Sequence, residues 1–245
     1  MSAPPPESER VRTEPVWRAA IEDAPAVAGD DAVGGPAWLP PGFAHPRCGR
    51  CDAAMQPFVQ LTVREEYGLP FAAGSRLALF MCPTHNDPAE PEILETGRYP
   101  ESYRTEQGDH FAALLFPPGD FRPSDAGPDR LRPLRLTFAR GEQSVAVVKN
   151  AAGEVVHESG EETFRLGGTP CWINYRVTAE CACGGRLAPL LALPENQGFP
   201  KRPETATQPD SFSSDEDCYL LGNVVTVLAC DRQCDPRSTL TLCDN

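Results

Sequence analysis

The chain has 245 residues, enough for one large domain or two of about 120 residues each. It is acidic, with 22 Lys and Arg against 35 Asp and Glu and a net charge of −13, a field that repels phosphate backbones and attracts basic proteins. Its 27 prolines and 20 glycines argue against long helices, and no apolar run reaches the roughly 18 residues of a membrane span.

The N-terminal stretch "MSAPPPESERVRTEP" is polar and proline-rich, without the basic and apolar regions of a secretory signal. A cytoplasmic protein is therefore expected. In that compartment its ten cysteines suit metal ligation or free thiols better than disulfides. Residues 1–30 read as a flexible arm on composition. Within it, Val16 to Ala24 could form a short helix that docks through Val16, Trp17 and Ile21.

A first unit is expected over residues 31–129. It holds Cys48-Gly49-Arg50-Cys51 and Cys82-Pro83-Thr84-His85, two short turns that each offer a pair of soft ligands. Between them "MQPFVQLTV" and "SRLALFM" read as two strands of a hairpin. Two ligand-bearing turns joined by a hairpin supply what a tetrahedral zinc site needs. His45, three residues before Cys48, is an alternative to His85 as the fourth ligand. "HFAALLF" (His110 to Phe116) predicts a buried strand and Pro117 to Asp129 a turn-rich connection. "LRLTFAR" alternates as a half-solvated strand does. Ser144 to Ser159 predicts two strands about a turn at Ala151-Ala152-Gly153.

The opening block then returns within a second unit, residues 130–245. "GGPAW" (Gly34 to Trp38) matches "GGTPCW" (Gly167 to Trp172), and "CDAAMQPFVQL" (Cys51 to Leu61) matches "CGGRLAPLLAL" (Cys183 to Leu193). "GSRLALFMCPTHNDP" (Gly74 to Pro88) matches "GNVVTVLACDRQCDP" (Gly222 to Pro236). Three blocks in the same order predict an internal duplication. If Cys51 and Cys82 are ligands, Cys183 and Cys230 should have companions. Cys181 and Cys234 supply them, giving a second site of Cys181, Cys183, Cys230 and Cys234. The expected fold is thus mainly β: two zinc-ribbon-like hairpin units with a sheet-forming segment between them, binding two zinc ions.

Each proposed site already counts four protein ligands, whereas a catalytic zinc keeps an open position. Cys171, Cys218 and Cys243 remain, and nothing in the sequence links them to His110 or His157 as a nucleophile needs. No phosphate loop, GxSxG elbow or HExxH is present, and no catalytic residue is assigned. Asp215-Glu216-Asp217 reads as a solvated loop or as an acidic contact for a basic partner. Arg130, Arg132 and Arg135 are too few for a nucleic-acid groove.

The paired "GGxPxW" turns, the Cys-x2-Cys, the strand ending in "QL" and the strand running into a Cys pair resemble the YwqG-like and programmed cell death protein two superfamily. "LLALPENQGFP" and "YLLGNVVTVLACDRQCDP" are similar to the corresponding part of its bacterial members. The resemblance covers both repeated blocks and implies a β-rich architecture. In the eukaryotic branch it also implies a chaperone role for a basic ribosomal protein, although the MYND-type finger of that branch is missing here. The expectation is a non-enzymatic, zinc-stabilised module that binds a basic protein client. An immunity protein against a basic toxin and a zinc-dependent hydrolase are the alternatives.

Overall fold

Apolar runs bounded by glycine and proline turns form most of the core strands, and the protein is mainly β, with no α-helix among the described residues. The computed structural model describes residues 8–87, 93–105, 108–124, 126–174, 176–208, 212–220 and 222–244. In chain order the strands are β1 (Ser8–Pro25), β2 (Ala32–Val33), β3 (Ala37–Leu39), β4 (Gln56–Thr62), β5 (Arg76–Met81), β6 (Phe111–Phe116) and β7 (Arg122–Ser124). They continue with β8 (Leu134–Lys149), β9 (Val155–Ser159), β10 (Arg165–Leu166), β11 (Leu187–Leu193), β12 (Gly198–Pro200), β13 (Glu216–Cys218), β14 (Val224–Cys230) and β15 (Thr239–Asp244).

One antiparallel sheet runs in the order β15-β14-β11-β10-β1-β8-β2-β4-β5-β6, with β9 added to β8. Its two ends curl toward each other. The Leu115 N–H donates to the Pro236 carbonyl at 2.9 Å, and Thr239 Oγ1 donates to the Ala113 carbonyl at 2.8 Å. The result is a nearly closed barrel, in which few strand edges remain open to pair with other chains.

The sheet is built alike on either side of the β1–β8 pair. Toward one end Ala32 pairs with Gln60, and toward the other Arg165 pairs with Ala192. In the hairpin of β4 and β5, Pro57 faces Phe80, Val59 faces Leu79 and Leu61 faces Leu77. In the hairpin of β11 and β14, Pro189 faces Leu228, Leu191 faces Val227 and Leu193 faces Val225. The register slips just after the proline in both, because proline cannot donate to the ladder.

The N-terminal stretch departs from the sequence reading. Residues 8–25 are neither arm nor helix but the long strand β1, paired with β8 from Ser8↔Lys149 to Pro25↔Leu134. Residues 1–7 of the expected arm lie outside the described residues. Polar residues conceal this strand because Val16 alone within it is fully buried, while Trp17 leans on Tyr67 at 5.0 Å between ring centroids. A long backbone ladder holds it, together with a half-buried face of Trp17, Ala19 and Ile21 that packs against the core. β1 also crosses over: Trp17 pairs with Leu166 of β10, whereas β8 pairs with β2 through Val33↔Leu134. The expected sheet-forming segment is therefore the middle of one continuous sheet. β8 runs through Gly141 without a break.

Both faces of the hairpins are covered, which explains why their apolar runs do not alternate with polar residues. Leu77, Leu79 and Met81 point into the barrel with Val225, Val227 and Ala229. The intervening Ala78, Phe80 and Cys82 pack outside against Leu39, Met55 and Phe116. Leu228 and Cys230 do the same against Tyr103, Trp172 and Leu240. The two-residue period of a strand thus sends Cys82 and Cys230 to the outer face.

Of the acidic stretch at 215–217, Asp215 is exposed as a solvated loop predicts, but Asp217 is not. Asp217 lies in β13, buried, and accepts from Arg130 Nε at 2.9 Å and Nη2 at 3.1 Å. Arg132 and Arg135 are likewise committed, to Asp23 and Glu22.

Candidate metal centres

Each hairpin ends in a pair of tight turns that bring cysteines to one point. In the first, Asp52 takes a left-handed conformation with φ 57°. The turn is closed by Asp52 N–H to the Cys48 carbonyl at 2.7 Å and by Cys48 N–H to the Ala53 carbonyl at 2.8 Å. Opposite it Cys82 leaves the end of β5, anchored by its N–H to the His110 carbonyl at 2.8 Å. In the second, the closure falls on Gly184, φ 77°, whose N–H donates to the Cys181 carbonyl at 2.7 Å. That turn is what makes the narrow Cys181-x-Cys183 spacing workable. Gln233, φ 47°, folds the chain back from Cys230 to Cys234.

The outcome is two groups, Cys48–Cys51–Cys82–His85 and Cys181–Cys183–Cys230–Cys234, each with its four ligand atoms within 4.8 Å of one another. In the first, Cys51 Sγ lies 3.7 Å from Cys82 Sγ, and His85 Nδ1 lies 3.4 Å from Cys48 Sγ and 3.5 Å from Cys82 Sγ. In the second, the sulfurs are 3.6 Å apart for Cys181 and Cys234, 3.5 Å for Cys183 and Cys230, and 3.8 Å for Cys230 and Cys234. A tetrahedral ion with metal–sulfur bonds of about 2.3 Å sets sulfurs about 3.8 Å apart, and a shorter bond to nitrogen brings that pair to about 3.6 Å. A disulfide would need about 2.05 Å. The eight residues named from the sequence therefore converge as two groups that could hold metal ions.

His45 is placed elsewhere. Its Nε2 is 2.8 Å from the Met55 carbonyl and its Nδ1 is 3.3 Å from Ser124 Oγ, so both ring nitrogens are engaged away from the cysteines.

Cys48, Cys82, Cys181 and Cys230 are buried, whereas Cys51 and Cys234 face solvent. Burial raises the Cys48 thiol to about 11 and pushes the Cys230 thiol well up. The Ala53 N–H holds the Cys51 thiol below its usual range. At Cys181 burial is outweighed by donors from the Tyr103 hydroxyl, the Cys183 backbone and Ser238, which bring it down to about 6. A metal must displace whatever protons these thiols hold, so its binding is linked to pH.

The remaining cysteines belong to neither group. Cys218 is buried in β13 and Cys171 half-buried, and burial raises both thiols, the opposite of what a nucleophile needs. Cys243 sits in β15 opposite Val225. A groove of about 640 Å³ is lined by residues that include Phe43, His45, Arg47, Arg104, Asp109 and Arg237, and by none of the eight candidate ligands. Its charged groups are engaged: Arg47 with Asp52, Arg104 with Glu101, Asp109 with Arg50 and His110, and Arg237 over the Phe43 ring.

Sequence reasoning missed Tyr103 and Arg104, which contact the second cluster from a 3-10 turn at Glu101–Arg104. "ESYR" carries no metal signature, and only the fold brings it there. No helix among the described residues is long and apolar enough to cross a membrane. The chain matches no family model and no curated protein.

Proposed function

We propose that this chain is a duplicated, zinc-stapled β protein without catalytic activity, which uses its acidic surface to bind a basic protein client. The observation that carries the zinc reading is the convergence of four ligand atoms within 4.8 Å in each group, with three of the six pairs in each at 3.4–3.8 Å, close to the edge of a tetrahedron of sulfur and nitrogen around one ion. Thiolates with one imidazole favour zinc over calcium or magnesium, which prefer oxygen. Four protein ligands at each centre fit a structural ion. Each ion would tie the two ends of a hairpin together and so stabilise the folded sheet.

The duplication reading is supported by the shared proline-linked slip in register and by the matching pairings of β2 with β4 and β10 with β11. The client reading is supported by the net charge of −13 and by the resemblance to a family whose eukaryotic branch shields a basic ribosomal protein.

Capture of bound proteins by the zinc-loaded chain, repeated at rising salt, tests the client. The expected result is a basic protein released as salt rises. A folded, loaded chain that retains no basic protein at low salt would contradict the client reading and leave the zinc reading intact.

A further inference from the structure

The two clusters differ in what stands behind their sulfurs. At the second, the buried Tyr103 hydroxyl donates to Cys181 Sγ at 3.2 Å, and Arg104 Nη2 donates to Cys234 Sγ at 3.3 Å. Ser238 Oγ adds a contact to Cys234 at 3.1 Å. At the first, the described contacts of Cys48, Cys51 and Cys82 come from one another, from His85 and from nearby backbone.

The difference arises from chain length. Between β5 and β6 the chain runs from Cys82 to His110, long enough to cross to the other arm of the sheet. There it docks beside the second cluster through Thr178 N–H to the Glu95 carbonyl, Glu180 N–H to Gly97 and Tyr99 N–H to Glu180, all at 2.7–2.9 Å. Tyr99 and Tyr103 then pack ring to ring at 5.0 Å. Between β14 and β15 the chain has only Asp231 to Ser238, whose hydrogen bonds to the first arm fall at Ala72, Ser75 and Leu115 and not at its cluster.

Four thiolates around one divalent ion leave an excess of negative charge on sulfur. Donors to those sulfurs offset it and fix the sulfurs in place. The Arg104 bond falls on Cys234, the exposed cysteine of its cluster.

We propose that Tyr103 and Arg104 are positioning residues for the second metal centre, which thereby releases its ion more slowly than the first. The inference rests on the zinc reading above.

The test is a timed challenge of the zinc-loaded full chain with a chelator and an alkylating reagent, counting ions by native mass spectrometry and mapping the modified cysteines. Cys48, Cys51 and Cys82 should be modified first. Tyr103→Phe keeps the ring that packs on Tyr99, and Arg104→Gln removes the charged donor together with its pairing to the exposed Glu101. Each should speed modification of Cys181, Cys183, Cys230 and Cys234 by about tenfold, leaving the first cluster unchanged, and Arg104→Lys should recover part of the protection. A loaded chain whose second cluster empties first, or whose rates ignore both substitutions, overturns the inference alone. A chain that takes up no zinc overturns the zinc reading and the inference with it.

Discussion

Trp17 stands directly opposite Leu166, so the first strand of the chain completes the half of the sheet that contains the last strands. Its counterpart β8 is made later but pairs with β2 of the earlier half. The two arms are therefore interlocked and share one core. Deleting residues 1–25 would leave every candidate ligand in place, yet expose an edge of both β8 and β10. The truncated chain should lose its cooperative thermal transition or aggregate. An unchanged melting curve, the behaviour of a mobile arm, would contradict the strand assignment.

Glu14 tests the same junction through pH. Burial would raise its carboxyl, but hydrogen bonds from the Thr169 N–H, Arg12 and Gln143 outweigh that and hold it below its ordinary value. A folded-state pKa below the unfolded one means the stabilisation is full above the unfolded value and is lost as pH falls through the folded one. Glu14→Gln should cost about 1–2 kcal/mol at pH 7 and flatten the acid limb of the stability curve. Equal acid slopes in denaturant melts of the two proteins would rule this out.

The Arg130–Asp217 pair offers a sharper stability test. Asp217 is fully buried, so Asp217→Ala leaves the guanidinium of Arg130 without its carboxylate. A loss of about 3–5 kcal/mol in unfolding free energy is expected. A change within about 0.5 kcal/mol, as at an ordinary surface carboxylate, would return this stretch to the status of a loop.

Gly34 occupies φ 64°, and a Cβ there would sit 2.7 Å from Leu131 Cβ and 2.8 Å from the Arg132 carbonyl. Gly29, at φ 94°, has open space around it. Gly34→Ala should therefore destabilise by more than Gly29→Ala, the first through crowding as well as backbone strain, the second by about 1 kcal/mol from strain alone. Equal shifts in melting temperature would show that the turn yields.

What could be read in the sequence follows from burial. β4, β5, β11 and β14 are covered on both faces, so their runs of Leu, Val and Phe stand out, and the cysteines at their ends mark where the outer face begins. β1 was concealed because most of its residues are polar or exposed, Val16 alone is fully buried, and a backbone ladder leaves no signal in local sequence. The crossing of β1 and β8 depends on pairings between distant residues, which local pattern cannot encode. Asp217 looked solvated because its neighbours Asp215 and Glu216 are acidic, while the residue that buries it, Arg130, lies far away in the chain. Tyr103 and Arg104 reach the second cluster only through the docking of a long connection.

The most direct test of the central claim is the metal content of the folded full chain, measured by native mass spectrometry beside its Cys82→Ser variant. Two zinc ions per chain are predicted, with one lost and the melting temperature lowered in the variant, because Cys82 is a fully buried member of the first cluster. A chain that folds and melts cooperatively without metal, and that tolerates Cys82→Ser unchanged, would contradict it.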